Sequence, residues 1–315
     1  MAWGRALAPT PPRRVQFRST LGLTSGARRV WWLVAIFAGC VLIPPRPTGA
    51  NIFAADGRDP RSYVAEDSAA WRRLRAVGTV SSDFVLRDKR GMVAVKPGMG
   101  TAFLVSPCYA MTNYHVVFGT GTANPDPMAD YPVTLRFGLR ARGGPAVSVR
   151  GRVRVWEDPG ATAPDVALIR INGCPGAQLG WYGLSAARAV PGRPVAMPSV
   201  SGDRSMARLS LQPTCRIREA AAGAEWLVHD CATREGASGA PLLDTAAGVP
   251  EVLAMNAGEF RAVSDIQPRY DPRHANWGVS MRFLDRSPRM RAVLQRDILR
   301  AKVQNPLANL RSNLQ

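Results

Sequence analysis

The chain has 315 residues, 46% of them hydrophobic, and a formal net charge of +18. This apolar content is ordinary for a globular protein with a full core, and the length suggests one large domain or two small ones plus ends. With 26 prolines and 29 glycines, the composition favours short strands and many turns over long helices.

The positive charge comes mainly from arginine and raises the question of a nucleic-acid or membrane partner. The densest run of arginines lies between Arg136 and Arg154, where their even spacing is typical of the outer face of strands. No nucleic-acid recognition motif accompanies it. We therefore expect no nucleic-acid partner and interpret these arginines as solvated surface charges.

The first fifty residues contain an apolar run of fourteen residues, 30–43, preceded by two arginines and followed by two prolines. A membrane-spanning helix needs about 20 residues, so the run is more typical of a signal peptide, with small residues at 48–50 for cleavage. An uncleaved membrane anchor and a lipid-modified Cys40 stay open as alternatives. Each predicts export to the periplasm or the exterior, with membrane contact only if the segment is uncleaved or Cys40 is lipidated.

The other four cysteines are an even number in a chain predicted to be exported, which favours disulfides. Cys215 and Cys231 lie sixteen residues apart and flank two strand-like segments, so a bridge across a hairpin is expected. That leaves Cys108 to pair with Cys174. The three histidines are dispersed and no Cys-x-x-Cys spacing exists, so we expect neither a metal site nor a cofactor.

Residues 51–75 are polar and are expected to form an extended arm with at most a short helix at 69–74. From residue 77 onward, short apolar runs separated by Gly, Pro and Asp predict strands. The first set of predicted strands is 93–96, 101–105, 109–112, 133–137, 147–156 and 166–171. The second set, after a linker near 176–191, is 194–197, 208–212, 225–229, 241–243, 251–256 and 277–281.

A helix is predicted to follow these strands, with Ser287 as its cap and Pro288 at its first position. Apolar residues recur at helical spacing and predict one face that docks onto the body of the protein. They are Met290, Val293, Leu294, Ile298 and Leu299.

Three separated residues could together form a catalytic serine site. His115 follows the strand predicted at 109–112, Asp165 precedes the strand predicted at 166–171, and Ser238 lies between glycines in a loop. Each is weak evidence alone, because a lone histidine is more often structural and an aspartate before a strand is usually a turn residue. A serine nucleophile needs an adjacent base, and the base needs an orienting acid. The order and spacing of the three residues are consistent with a nucleophile, a base and an orienting acid in one site.

In these segments the sequence resembles the chymotrypsin-like (trypsin-fold) serine protease family, especially its compact bacterial secreted members. The matching segments are residues 100–105 (GTAFLV), 112–117 (TNYHVV), 165–168 (DVAL) and 235–241 (EGASGAP). The resemblance covers about residues 77–284. It implies an all-β fold of two six-stranded antiparallel β-barrels, with the active site in the cleft between them and a C-terminal helix in addition.

The resemblance also implies a role for each site residue. Ser238 is expected to be the nucleophile, His115 the general base and then acid, and Asp165 the group that fixes the imidazole tautomer. The backbone amides of Gly236 and Ser238 are expected to form the oxyanion hole. The implied activity is a serine endopeptidase that acts on polypeptides through an acyl-enzyme.

The implied domain layout has four parts. Residues 1–50 are the signal peptide or membrane anchor, and 51–76 form the arm. The protease domain covers 77–286, with its two barrels divided near 176–191. The C-terminal helix and tail follow at 287–315.

Departures from the family pattern bear on activation and specificity. Ala237 replaces the aspartate that pairs with a newly cut N-terminus in many animal members, so that activation route is absent. The base of the primary pocket is expected near Ala232 and Thr233, where no carboxylate lies, which disfavours an Arg or Lys preference. Asn256 lies where glutamate-specific relatives carry a histidine.

The substrate pocket is therefore expected to be small and polar to neutral, lined in part by Thr233, Asn256, Ala257 and Gly258. Glu235 and Glu259 are candidates for its rim.

Two alternative functions remain to be weighed. A catalytically silent homologue would keep this fold as a binding module, although all three catalytic residues are present. An α/β-hydrolase esterase would need the order Ser, Asp, His, with Asp265 or Asp271 and His274 within only thirty-six residues of the serine. The alternation of helices that such a fold requires is also absent from the pattern.

Overall fold

The structure is a computed structural model of the 315-residue chain. It describes residues 51–304 except 88–92, 120–124, 126–128, 141–146, 158–163, 221–224 and 245–249. The predicted export segment, including Cys40, and the tail from residue 305 lie outside the described residues.

The first barrel is a closed antiparallel sheet in the order β3-β4-β5-β8-β7-β6. Its strands are β3 (Val77–Arg87), β4 (Val93–Ser106), β5 (Tyr109–Thr112), β6 (Pro132–Phe137), β7 (Val147–Glu157) and β8 (Val166–Ile171). In β7, Arg150, Arg152 and Arg154 are exposed and alternate with Gly151 and Val153, which are buried. The evenly spaced arginines therefore occupy the outer face, as their spacing predicts.

The sequence pattern missed the longest pairing of this barrel. The strand β3 was not predicted, because Ser81, Ser82 and Asp83 interrupt its apolar residues. It nevertheless pairs with β4 from Val77 opposite Phe103 to Arg87 opposite Val93. Because β3 pairs along this whole length, the two strands predicted at 93–96 and 101–105 are parts of the single strand β4.

The second barrel closes in the order β10-β13-β14-β16-β12-β11, with β11 returning to β10, and all six pairings are antiparallel. Its strands are β10 (Pro194–Ser199), β11 (Ser210–Glu219), β12 (Trp226–His229), β13 (Pro241–Asp244), β14 (Glu251–Glu259) and β16 (Asn276–Ser280). Between the barrels run a short helix α3 (Gly176–Leu179) and the strand β9 (Gly183–Leu184), which pairs in parallel with β14. The predicted double six-stranded barrel is confirmed.

The barrel interiors hold the core. Phe103, Leu135 and Leu168 from the first barrel and Leu242 and Leu253 from the second are fully buried. Burial of one such side chain contributes about 1.5–3 kcal/mol relative to its exposure to water. Each barrel therefore has enough apolar surface on its inner face to hold its strands, and the site residues lie at the strand ends.

The arm has more structure than its polar sequence indicates. The predicted helix is present as α1 (Ala69–Leu74), and its Ser68 cap accepts a hydrogen bond from the Trp71 amide at 3.0 Å. Two short strands were not predicted, β1 (Ile52–Phe53) and β2 (Ser62–Tyr63). They pair with β15 (Ile266–Gln267) and with β11, so the arm adds to the sheets of the second half.

The C-terminal helix α4 (Pro288–Gln304) begins at the predicted proline. Met290 and Leu294 are buried on its inner face, but Leu299 is 59% exposed, so its assignment to the docking face was wrong. Asp297 takes part in docking instead. Its carboxylate accepts hydrogen bonds from the Ser106 hydroxyl at 2.7 Å and the Cys108 amide at 2.9 Å.

Both expected disulfides are present, Cys108–Cys174 and Cys215–Cys231. The first ties the turn between β4 and β5 to the segment after β8, and the second joins β11 to the segment after β12. Paired cysteines are typical of proteins that fold in an oxidising compartment, which suggests a periplasmic or extracellular location. Within the part of the chain that the structure describes, no helix is long and apolar enough to cross a membrane.

Candidate active site

His115 and Asp165 meet at one end of the first barrel. His115 lies on the short helix α2 (Tyr114–Phe118), rather than at a bare strand end as predicted, and Asp165 directly precedes β8. The imidazole Nδ1 is 2.5 Å from Asp165 Oδ2, and the His115 amide donates to Asp165 Oδ1 at 3.0 Å. Asp165 is 3% exposed. One buried carboxylate therefore fixes both the backbone and the ring of His115.

The residue before the helix completes this arrangement. Asn113 is fully buried, and its side-chain amide donates to the Asp165 carbonyl oxygen at 2.9 Å. The strands β5 and β8 pair directly, with Thr112 opposite Ala167. The segments that carry the histidine and the aspartate are therefore held together by the ladder just below them, which explains how residues fifty positions apart come into contact.

Ser238 lies in a tight loop before β13 that is fixed from both sides. Within the loop, the Ala237 amide donates to the Arg234 carbonyl at 2.9 Å. From the first barrel, the Thr101 amide donates to the Ser238 carbonyl oxygen at 2.8 Å. The serine is thus positioned by its own barrel and by the wall of the other one.

The two glycines beside this serine are required by the geometry of the loop. Gly239 has φ of +84°, and a Cβ there would lie 2.0 Å from the Thr101 carbonyl oxygen. Gly236 has φ of +92°, and a Cβ there would lie 2.9 Å from the Met206 sulfur. Both positions need the left-handed region and close approach that only glycine allows without strain.

The amides of Gly236 and Ser238 donate to no residue that the structure describes. The carbonyl oxygen of each of these two peptide groups, by contrast, accepts a hydrogen bond. The Glu235 carbonyl accepts from the Gly202 amide at 2.9 Å. The Ala237 carbonyl accepts from the Ala240 amide at 3.0 Å and from the Asn256 side chain at 2.9 Å. Because N–H and C=O point in opposite directions across a trans peptide, these bonds set the direction of the two free donors.

Asn256 has a structural contact in addition to its predicted place in the site. It was predicted to bind substrate, and it does line the cleft, but its side-chain nitrogen is used to hold the Ala237 carbonyl. Gly202 was not predicted to belong to the site at all. Its contribution is a backbone amide, and a backbone contact between positions 202 and 235 leaves no signal in residue types.

The predicted site residues lie around one open cleft of about 730 Å³ between the barrels. The predicted residues that line it are His115, Asp165, Thr233, Glu235, Gly236, Ser238, Asn256, Ala257, Gly258 and Glu259. Trp277 also lines the cleft and was not predicted. The residues of the esterase alternative, Asp265, Asp271 and His274, are not among those that line it.

The wall around the expected primary pocket carries no charge at its base. Ala232 is fully buried, and Thr233 is 3% exposed with its hydroxyl donating to the Asn276 side-chain oxygen at 2.9 Å. Glu235 and Glu259 both line the cleft, as expected for its rim. Partial burial raises the pKa of Glu259, and the nearby His115 opposes that shift. The cleft is thus lined by the neutral side chains of Thr233 and Asn256 and by the charged side chains of Arg234, Glu235 and Glu259, among others.

A buried histidine lies behind this wall. His229, on β12, is fully buried, and burial lowers its pKa to about 4, against a smaller opposing influence of Asn256 and the Trp277 backbone. It is therefore neutral near pH 7. Across the described ranges, no group of three or more His, Cys, Asp or Glu side chains is arranged to hold a metal ion.

Comparison with known proteins gives a family for this arrangement. The family model for a trypsin-like peptidase domain matches residues 100–255. No curated protein matches the sequence. The chain is therefore a serine protease with a trypsin-like peptidase domain, a class that agrees with the two barrels and the cleft between them.

Solved structures with a similar fold include a Glu endopeptidase in complex with MPD, at 15% identity and a TM-score of 0.48, covering 71% of this chain and 92% of that one. The serine endoprotease from Yersinia pestis has 16% identity and a TM-score of 0.46, covering 74% and 69%. The active form of the Rv3671c protease from M. tuberculosis has 20% identity and a TM-score of 0.43, covering 69% and 83%. The fold assignment rests on the strand pairing described above rather than on these similarities.

Proposed function

We propose that the protein is a serine endopeptidase that cleaves polypeptides through an acyl-enzyme, with Ser238 as nucleophile. The observation that carries the proposal is the buried contact between Asp165 and His115 in the same cleft as Ser238. In this proposal the polypeptide is the only partner required, and no cofactor takes part.

The proposed mechanism begins with the His115 ring. Because Asp165 holds Nδ1, that nitrogen carries the proton and Nε2 is the one that can accept the proton of the Ser238 hydroxyl. The Ser238 oxygen then attacks the carbonyl carbon of the substrate. The imidazolium formed is stabilised by the Asp165 carboxylate and returns its proton to the leaving amine. Water repeats the sequence to release the acyl group.

The Gly236 and Ser238 amides are the proposed donors to the oxyanion of the tetrahedral intermediate. Their support is that both are free of other described acceptors, while the carbonyls of the same peptide groups are fixed by hydrogen bonds. Donors that are oriented before the reaction need no reorganisation when charge develops on the substrate oxygen. Loss of one such donor typically costs on the order of 100- to 1000-fold in rate.

For specificity, we propose a primary pocket that accepts a small or neutral side chain. Its support is the absence of a carboxylate at Ala232 and Thr233, together with Thr233, Asn256 and Gly258 at the cleft surface. Glu259 at the edge of the cleft would favour a cationic side chain in a neighbouring substrate position, since opposite charges attract there without a buried ion pair.

The proposed layout of the full chain has residues 1–50 as a signal peptide or anchor, 51–76 as the arm, 77–286 as the protease domain and 287–315 as the C-terminal helix and tail. The support for export is the apolar run at 30–43 and the two disulfides. Lipid modification of Cys40 is the variant of this proposal that would keep the enzyme at a membrane.

A fluorophosphonate probe tests the catalytic assignment. The purified full chain is expected to be labelled at Ser238 and to cleave a fluorogenic peptide library, while Ser238→Ala loses both without unfolding. A folded wild-type protein that takes up no probe would instead be a catalytically silent homologue that acts as a binding module. Unfolding of the Ser238→Ala variant would mean that the serine has a structural role.

A further inference from the structure

The first described residue of the arm, Asn51, is fully buried and makes four hydrogen bonds to the second half of the molecule. Its side-chain nitrogen donates to the Arg261 carbonyl at 3.0 Å, and its side-chain oxygen accepts from the Val263 amide at 3.0 Å. Its backbone carbonyl accepts from the Thr233 amide at 3.0 Å and from the Asn276 side chain at 3.1 Å. Each of these four hydrogen bonds therefore joins Asn51 to a residue more than 180 positions away.

The partners of the Asn51 carbonyl belong to one wall of the substrate cleft. Thr233 lines the cleft itself. Asn276 donates to the Cys231 carbonyl at 2.7 Å and accepts from the Thr233 hydroxyl at 2.9 Å. Hydrogen bonds with Asn276 and with the Asn51 carbonyl thus hold the segment 231–233 in place.

The partners of the Asn51 side chain lie just after a second segment that lines the cleft. Arg261 and Val263 follow β14, whose last residues, Gly258 and Glu259, line the cleft. One residue of the arm therefore connects the segment before the serine loop to the segment after β14. Its backbone holds the first wall and its side chain holds the second.

The rest of the arm secures this residue in place. Ile52 is 1% exposed and pairs in parallel with Ile266, and Phe53 pairs with Gln267. The Ala54 amide donates to the Gln267 carbonyl at 2.9 Å. Buried strand pairing gives the arm a single register, so the carbonyl and side chain of Asn51 are presented to both walls at the same time.

We propose that Asn51 is a positioning residue for substrate binding, which fixes the separation of the two walls of the cleft and so sets the affinity and selectivity of the primary pocket. The inference rests on the proposed function of the cleft. Asn51 touches neither the catalytic residues nor, on this proposal, the substrate. It acts through Thr233 on one side and through the residues after β14 on the other.

The test compares Asn51→Ala with Ser68→Ala in the full chain. Ser68→Ala removes the cap of α1 in the same arm and touches no residue of the cleft, so it controls for a general loss of stability. We expect Asn51→Ala to raise KM for peptides about tenfold and broaden the preference for the residue in the primary pocket, because two buried side-chain hydrogen bonds are lost. We expect kcat and the rate of fluorophosphonate labelling of Ser238 to stay within about threefold of the wild type, the scatter usual for a distant substitution.

Asn51→Ser, which keeps a short hydrogen-bonding side chain, is expected to give a KM between those of the wild type and Asn51→Ala. If Asn51→Ala does not fold, the KM of Asn51→Ser tests the positioning role of Asn51. A wild-type KM and selectivity in folded Asn51→Ala, or in Asn51→Ser if only that variant folds, would overturn the proposal. So would equal changes in KM in Asn51→Ala and Ser68→Ala. Labelling of wild-type Ser238 reports on the proposed function separately, so failure of that function is distinguishable from failure of the role of Asn51.

Discussion

In the first barrel, the residues of the site are held by the two paired strands that carry them, whereas in the second barrel the serine loop is held by three separate segments of the chain. His115 lies on the helix that follows β5, Asp165 directly precedes β8, and the two side chains bond directly to each other. The serine loop instead depends on Gly202, Asn256 and Thr101, which approach it from three other segments. This difference teaches that one strand pair sets the first half of the site, whereas the second half requires several segments to pack against the serine loop.

The largest effect is expected where the first half is broken at its orienting group. Asp165→Asn keeps the shape of the side chain but leaves the His115 ring free to take the wrong tautomer. We expect kcat to fall by about four orders of magnitude, on the order of 10⁴-fold, with the fold retained. Steady-state kinetics and circular dichroism measure the two quantities. A loss of less than about tenfold would show that Asp165 does not orient the base.

A smaller loss of kcat is expected when one of the side chains that support the serine loop is removed. Asn256→Ala leaves the Ala237 carbonyl with the Ala240 amide alone, so the peptide that presents the Ser238 amide is less well fixed. We expect a loss of about tenfold in kcat, below the 100- to 1000-fold cost of deleting an oxyanion donor outright, because the donor itself remains.

The split between kcat and KM distinguishes this role of Asn256 from substrate binding. A change confined to KM would mean that the side chain binds substrate, as the sequence alone indicated. A fall in kcat at nearly constant KM would assign it to the support of the serine loop.

This contrast between support by one strand pair and support by several segments also explains what could be predicted from the sequence. The strands 109–112 and 166–171 were predicted at their observed bounds, because each is a short apolar run with clear turn residues on both sides. The pairing of these two strands makes His115 and Asp165 neighbours. The motif around Ser238 likewise carries its own glycines, whose positive φ angles require them.

What could not be predicted depends on single hydrogen bonds between segments that the sequence pattern does not connect. The support of the Ala237 carbonyl by Asn256 joins residues nineteen positions apart through one side-chain atom. The attachment of Asn51 to Thr233 spans more than 180 positions and uses a backbone carbonyl, which every residue has. Residue types and periodicity hold no record of such bonds, so the arm was expected to be extended, with at most a short helix at 69–74.

The core of the second barrel offers a test of stability rather than rate. His229 has a pKa of about 4 in the folded protein against 6.5 for an ordinary histidine, so between these values the unfolded chain takes up a proton that the folded protein refuses. Acidification therefore lowers the free energy of unfolding by up to about 1.4 kcal/mol per pH unit in that window. The stability that depends on a neutral His229 is fully present above pH 6.5 and is lost as the pH falls toward 4.

Urea denaturation of the wild type and His229→Gln at pH 7, 6 and 5 measures this contribution. The difference in the free energy of unfolding between the two proteins is expected to change with pH. Carboxylates elsewhere titrate equally in both proteins, so this change reports on His229 alone. Parallel curves for the wild type and the variant would show that the buried ring does not resist protonation.

The smallest effect is expected at the edge of the cleft, where both halves of the site face the substrate. Glu259→Gln removes one carboxylate from the rim while keeping its size. We expect cleavage of peptides with Lys or Arg beside the primary pocket to fall by about two- to fivefold relative to neutral peptides, the size of an exposed charge interaction. Glu251→Gln, at the other end of the same strand and outside the cleft, is the matched control and is expected to leave the preference unchanged.

The pH dependence of the preference for cationic peptides tests whether Glu259 is its source. Because partial burial raises the pKa of Glu259, its carboxylate gains a proton at a higher pH than an ordinary glutamate does. The preference for cationic peptides is therefore expected to fall to half at a pH above 4.5, the midpoint for an ordinary glutamate. In Glu259→Gln the preference is expected to be small and independent of pH. A cationic preference that survives in this variant would place the recognition elsewhere on the cleft wall, at Glu235 or on the face of Trp277.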